Sequence, residues 1–176
     1  MRRKIVIIIL LVTACILAVP LVAMQFTDEV DWSVGDFIAA GILLAGSGLM
    51  IEFVASRSGN TTYKLGVVLG VVTGLFLIWI NLAVGIIGSE DNPANLMYTT
   101  VILIGIVGTT TSGFQARGMS HALFATAIAQ LLVPMIAFII MRPEVDEGLF
   151  KVVVLNTNIA VLFAGSGLLF RRASLA

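Results

Sequence analysis

The stretch Arg2-Arg3-Lys4-Ile5-Val6-Ile7-Ile8-Ile9-Leu10-Leu11-Val12-Thr13-Ala14-Cys15-Ile16-Leu17-Ala18-Val19-Pro20-Leu21-Val22-Ala23 is followed closely by Asp28-Glu29-Val30-Asp31. Bases, then a long apolar run, then acids describe a helix crossing a bilayer. A hydrocarbon layer of roughly 30 Å takes about 20 apolar residues at about 1.5 Å each. Five more apolar runs follow, and the charges between them alternate in kind from one connection to the next. Arg57 and Lys64 separate the second and third runs, Arg117 the fourth and fifth, and Arg171 and Arg172 follow the sixth. Asp36 joins the first acidic group, Glu90 and Asp91 follow the third run, and Glu144, Asp146 and Glu147 follow the fifth, with Arg142 and Lys151 as basic exceptions.

Eight of the ten basic residues and nine of the ten acidic residues are thereby sorted onto opposite sides. Lys and Arg near span ends are retained in the cytoplasm, so both termini are expected there. Acids carry little weight in that rule and merely agree. Composition points the same way: 59% hydrophobic and 11% charged residues, with a mean hydropathy of +1.10, do not suit a water-soluble globule of 176 residues. The expectation is an all-α polytopic membrane protein. Its six transmembrane helices, near 5–26, 36–56, 65–87, 94–114, 120–141 and 149–170, would form one compact bundle that makes residues 1–176 a single integral membrane domain. The connections are too short for a soluble domain.

The first run also reads as the start of a signal peptide, and Val12-Thr13-Ala14-Cys15 resembles a lipobox. The apolar character continues through Ala23, where a lipoprotein turns polar, so a retained helix is expected. Cys15 is the single cysteine and excludes an internal disulfide. Asn92-Pro93 places a capping side chain before a proline at the first helical position, which starts span four. Trp32 and Tyr98 fall at the outer boundary and Tyr63 at the inner one, as expected of rings with an apolar body and a polar tip.

An internal repeat is visible. Ala45-Gly46-Ser47-Gly48-Leu49 in span two recurs as Ala164-Gly165-Ser166-Gly167-Leu168 in span six, and Val19-Pro20-Leu21 in span one is matched by Val133-Pro134-Met135 in span five. The offsets, 119 and 114 residues, differ by a five-residue change in the connection. Hairpin 1-2 and hairpin 5-6 are therefore expected to form a parallel repeat, sharing one topology because an even number of spans separates them.

Small residues mark where helices meet, since backbone approach supplies much of the attraction between helices in lipid. Gly66, Gly70 and Gly74 in span three lead along one face to Asn81, Gly85 and Gly88. Gly41, Ala45 and Gly48 in span two lead to Glu52, and Asn156, Ala160, Ala164 and Gly167 in span six lead to Arg171. Spacings of three and four stack on one side of a helix, so the polar groups are expected to face inward.

Candidate chemistry is sparse. Glu52 is the only acid within a span, and an intramembrane ionisable group is a functional candidate by default. A proton or cation role stands beside an ion pair with Arg171, the matching position in the repeat. Asn81, Gln130, Asn156 and Asn158, with Thr109, Thr110, Thr111 and Thr126, would line a polar path or bond helix to helix. Pro134 withholds the N–H that the Gln130 carbonyl would otherwise receive, which suits a hinge or a solute site. His121 has no neighbouring metal ligands in sequence and reads as interfacial. On the outer side Asp28, Glu29, Asp31, Glu90, Asp91, Asn92 and Asn95 are loop candidates; the oxygens of Asp28, Glu29, Asp31 and Asp36 beside those of Glu90 and Asp91 would suit a hard divalent cation, though no known ligand spacing occurs and solvated loop charge is the plainer reading.

No phosphate-binding glycine loop, nucleophile elbow, HExxH or CxxC is present, so neither a cofactor nor a metal is expected. The scattered bases suit anionic lipid headgroups rather than nucleic acid.

The runs Ala23-Met24-Gln25-Phe26-Thr27-Asp28-Glu29-Val30 with Trp32, Asn81-Leu82-Ala83-Val84-Gly85-Ile86-Ile87-Gly88-Ser89-Glu90-Asp91-Asn92-Pro93-Ala94-Asn95-Leu96-Met97-Tyr98, and Arg117-Gly118-Met119 before Ala122-Leu123-Phe124-Ala125-Thr126-Ala127 resemble a group of small bacterial multispanning proteins. The resemblance covers almost the whole chain and implies a bacterial inner-membrane location. It carries no catalytic or binding residue over. Three classes of function stay open: an accessory or interaction subunit with a membrane-protein partner, a small-solute or ion transporter acting as a homo-oligomer with Glu52 and Asn81 in its path, and an enzyme. An enzyme fits least, because no nucleophile and base form a recognisable pair.

Overall fold

A computed structural model describes residues 3–89, 91–141 and 147–176. The chain is all-helical: α1 (Arg3–Ala23), α2 (Val34–Ala55), α3 (Thr61–Ala83), a 3-10 turn (Pro93–Leu96) leading into α4 (Met97–Thr111), α5 (Ala116–Met141) and α6 (Glu147–Ala173). Among the described residues six helical segments are long and apolar enough to cross a membrane, the fourth counting the 3-10 turn with α4. This is a multi-pass membrane protein. Arg2, Glu90, Arg142, Glu144 and Asp146 lie outside the described residues.

The helices match the expected spans closely, with one instructive difference. Span three is expected to continue to residue 87, with Gly85 on its packing face and Gly88 continuing that face just beyond it, but α3 ends at Ala83. Gly85 and Gly88 both take a left-handed conformation, φ +69°, which ends the helix and turns the chain into a loop.

Residues 1–54 and 55–176 form two compact units. In the first, α1 and α2 meet across glycine. A methyl group on Gly48 would stand 2.7 Å from Ile9 Cγ2, and one on Gly41 would stand 3.5 Å from Leu17 Cδ1. The start of α2 is fixed by a capping box. Ser33 donates from its backbone N–H and from its hydroxyl to Asp36 Oδ2, both at 2.7 Å, while Asp36 N–H donates to Ser33 Oγ at 3.3 Å. Trp32 and Phe37 staple the same end edge to face, ring centroids 5.2 Å apart. Asp36, an outer charge in sequence terms, is thus a helix cap.

In the second unit α6 packs along α3 and α5, and α4 along α5. The small-residue faces account for these contacts. Gly66 lies under the Phe170 ring and Gly70 under Ser166, whose hydroxyl donates to the Gly66 carbonyl at 2.7 Å. Gly167 lies under the Phe124 ring, and Ser120 Oγ donates to the Gly167 carbonyl at 2.8 Å. Gly105 faces Thr126, and Gly108 faces Ala122. At each point a missing side chain brings backbones close enough for dispersion and for hydroxyl-to-carbonyl bonds, the forces available between helices in lipid.

Where α3 begins, Asn60 caps it by accepting from Tyr63 N–H at 3.1 Å. Tyr63 is buried rather than displayed as a boundary anchor. Its hydroxyl donates to the Phe114 carbonyl at 2.7 Å, and its ring meets Phe170 edge to face at 5.1 Å. It thereby ties α3 to α6 and to the α4–α5 turn, where Phe114 holds a left-handed φ of 61°.

Candidate functional site

A buried polar centre of the second unit lies where α4, α5 and α6 meet. Tyr98, Gln130 and Asn156 are each buried to within 1% exposure. Asn156 Nδ2 donates to the Val152 carbonyl one turn earlier in its own helix, at 2.8 Å. That bond orients the amide and leaves Oδ1 to accept. Tyr98 Oη and Gln130 Nε2 both donate to it, each at 2.9 Å.

The direction of these bonds fixes the character of the centre. Two donors converge on Asn156, so the Gln130 amide turns its own oxygen away from the shared acceptor. Gln130 Oε1 is fully buried and accepts no hydrogen bond from any of the described residues. Four residues on, Pro134 lies inside α5 and has no N–H for the Gln130 carbonyl, as the sequence implies. One turn before, Thr126 is buried against Gly105 and donates to the Ala122 carbonyl at 2.9 Å.

A second centre closes the far end of α3. Asn81 Nδ2 donates to the Asn95 backbone carbonyl at 3.1 Å. The Asn95 side chain, buried, makes four bonds: Oδ1 accepts from Ile86 N–H at 3.1 Å and Ile87 N–H at 2.9 Å, while Nδ2 donates to the Ser89 carbonyl at 2.7 Å and the Ile87 carbonyl at 3.3 Å. One amide therefore replaces the backbone partners that the loop loses on leaving the helix. Asn92 caps the following 3-10 turn by accepting from Ala94 N–H at 3.0 Å.

The structure joins Gln130 with Asn156, and Asn81 with Asn95. Asp28, Glu29, Asp31 and Asp91 are exposed, and Glu90 lies outside the described residues. Among the described residues no group of three His, Cys, Asp or Glu side chains is placed to hold a metal. Glu52 is half-buried on α2 in the first unit, and Arg171 is exposed on α6 in the second.

Not every polar residue of the expected path turns inward. Asn158, Thr110 and Thr111 are exposed and bond to carbonyls of their own helices, Asn158 to Val154 at 2.8 Å, Thr110 to Ile106 and Thr111 to Val107 at 2.7 Å. A side chain that closes on its own helix can face lipid without an unpaired group.

Tyr98, like Tyr63, is buried where the sequence suggests a boundary ring. Its position at the start of a span suggested an interfacial ring, yet it is 1% exposed and bonded to Asn156, 58 residues away. The only local sign was its place at the end of the Asn92–Tyr98 segment, on the same helical side as Val101. Chemically, the two centres consist of neutral amides and one phenol. They supply donors and acceptors, with no paired nucleophile and base and no carboxylate. Comparison with protein-family models, curated proteins and solved structures finds no match.

Proposed function

We propose that this chain is an accessory or interaction subunit of the bacterial inner membrane, with both termini in the cytoplasm and its asparagine-clipped loop on the outer side. One observation carries the reading. Apart from Gln130 Oε1, the buried polar side chains of the two centres and of the serine contacts are committed to holding the second unit together: Asn95 to the 84–92 loop, Asn81 to Asn95, Asn156 to two neighbouring helices, and Ser120 and Ser166 to carbonyls of facing helices. Such a unit presents a fixed apolar surface to lipid or to another membrane protein. The alternation of basic and acidic connections supports the orientation.

The parallel repeat is part of the same proposal. Gly48 meets Ile9, and Gly167 meets Phe124 and the Ser120 carbonyl. The two sequence offsets carry Gly48 onto Gly167 and Ile9 onto Leu123, next to Phe124, so equivalent glycines face near-equivalent positions of the preceding helix. Pro20 and Pro134, also equivalent, both lie inside helices that continue past them.

Transport of a small solute or ion by a homo-oligomer is the second reading, with Glu52 and Asn81 in the path. The free acceptor on Gln130 beside the Pro134 interruption favours it. Gentle purification from the native membrane followed by native mass measurement separates the two. An unrelated protein bound in fixed ratio supports the accessory role; a homo-oligomer that passes solute after reconstitution supports transport.

A further inference from the structure

We infer that Gln130 holds a small hydrogen-bond donor inside the α4–α5–α6 packing, a buried water or an ammonium-type cation, through its side-chain oxygen. The inference is independent of the accessory reading. The orientation of the network excludes the simplest internal remedy. Turning the Gln130 amide over would give Oε1 a position facing Asn156 Oδ1, oxygen against oxygen, and would break the 2.9 Å bond from Nε2. Asn156 cannot turn in response, because its Nδ2 is bonded to the Val152 carbonyl and its oxygen already accepts from Tyr98. The arrangement thus delivers one acceptor with a fixed direction, and no group among the described residues donates to it.

A buried amide oxygen without a donor is unfavourable, and more so in a helix bundle surrounded by lipid. A guest bearing N–H or O–H relieves it, whereas an anion or an acceptor-only molecule would meet oxygen lone pairs. The same stretch of α5 carries further acceptors: the Gln130 backbone carbonyl, whose usual helical donor is removed by Pro134, and, one turn earlier, Thr126 Oγ1, whose proton is given to Ala122. Buried waters commonly make about three bonds to polar groups of this sort. The centre contains no carboxylate, so the neutral guest, water, is expected over the cation.

The native chain offers a clean probe, because it has three glutamines and Gln25 and Gln115 are both exposed. Replacing these two, Gln25→Asn with Gln115→Asn, leaves Gln130 as the only glutamine without touching the interior. Full-length protein in lipid nanodiscs, labelled with 13C at the glutamine side-chain carbonyl and 15N at the amide, would be followed by infrared and NMR spectroscopy. Ammonium chloride would be titrated in parallel with tetramethylammonium chloride, which has no N–H. The expected result is a carbonyl stretch shifted to the lower frequency of a bonded amide, with magnetisation transfer from water to the Gln130 amide and no response to either salt. A stretch that shifts saturably with ammonium and not with tetramethylammonium supports the same site with the cation as its guest. A stretch at the free-amide frequency throughout, without water transfer, overturns the inference.

Discussion

Tyr98 on α4 and Gln130 on α5 donate to the same atom, Asn156 Oδ1, at the same distance of 2.9 Å. One asparagine thereby fastens three helices. The bonds share their acceptor, so losing Asn156 strands two donors, whereas losing one donor leaves the other bond intact. Interhelical hydrogen bonds in membranes average about 0.6 kcal/mol and reach about 1.7 kcal/mol. Tyr98→Phe is expected to cost an amount in that range.

Asn156→Leu is expected to cost more than the sum of Tyr98→Phe and Gln130→Met. It leaves the Tyr98 hydroxyl and the Gln130 amide buried without an acceptor, at about 1–3 kcal/mol for each stranded group. Reversible unfolding in mixed micelles across the variants checks the order.

At Gly85 a methyl group would stand 2.5 Å from the Ser89 carbonyl oxygen and 2.7 Å from Asn95 Nδ2, in a left-handed backbone. Gly113 is also left-handed, φ +59°, but has nothing within 4 Å of the added methyl. Gly113→Ala should therefore cost only the left-handed conformation, about 1–2 kcal/mol. Gly85→Ala should carry that cost and displace the loop as well. The comparison separates conformational strain from collision, and the chemical shifts of Ile86 and Ile87 amides report the displacement.

Asn95→Ala removes all four bonds that the side chain gives the 84–92 loop. Hydrogen exchange at Ile86 and Ile87 is expected to accelerate at least tenfold, with little change at residues near the start of α3. Asn95→Asp keeps the acceptor but loses both donations, to Ile87 and Ser89, and brings a negative charge against two carbonyls. It should be no better than alanine.

The six membrane-length helices were legible because an apolar run long enough for a bilayer has few other uses. Gly66, Gly70 and Gly167 were legible as packing positions for a related reason: small residues at three- and four-residue spacing have a physical role between helices in lipid. The limit of that pattern is seen at Gly85 and Gly88, which continue the face of Gly66, Gly70 and Gly74 in sequence yet lie in the loop beyond the helix. Spacing is blind to the sign of φ, and the residue that fixes it, Asn95, lies beyond the turn. Likewise Asn81, Gln130 and Asn156 stood out as intramembrane amides, but their pairing did not, since Asn156 is 26 residues from Gln130 and 58 from Tyr98. Asn95 and Asp91 looked alike as outer oxygen donors; burial of one and exposure of the other distinguishes a loop clip from a solvated charge.

Orientation has its own test. With Cys15→Ser as background, a cysteine at Asp91 should react with a membrane-impermeant maleimide added to intact spheroplasts, while cysteines at Ser58 and Ser174 should react only after permeabilisation. The reverse pattern would turn the protein over in the membrane.

The accessory role is tested most directly by native mass measurement of the protein extracted gently from its own membrane. The account predicts an unrelated membrane protein bound in fixed ratio, lost on separation of the complex and regained on mixing. A homo-oligomer without such a partner, whose reconstituted solute flux disappears with Asn81→Leu or Glu52→Gln while its assembly is unchanged, would contradict it.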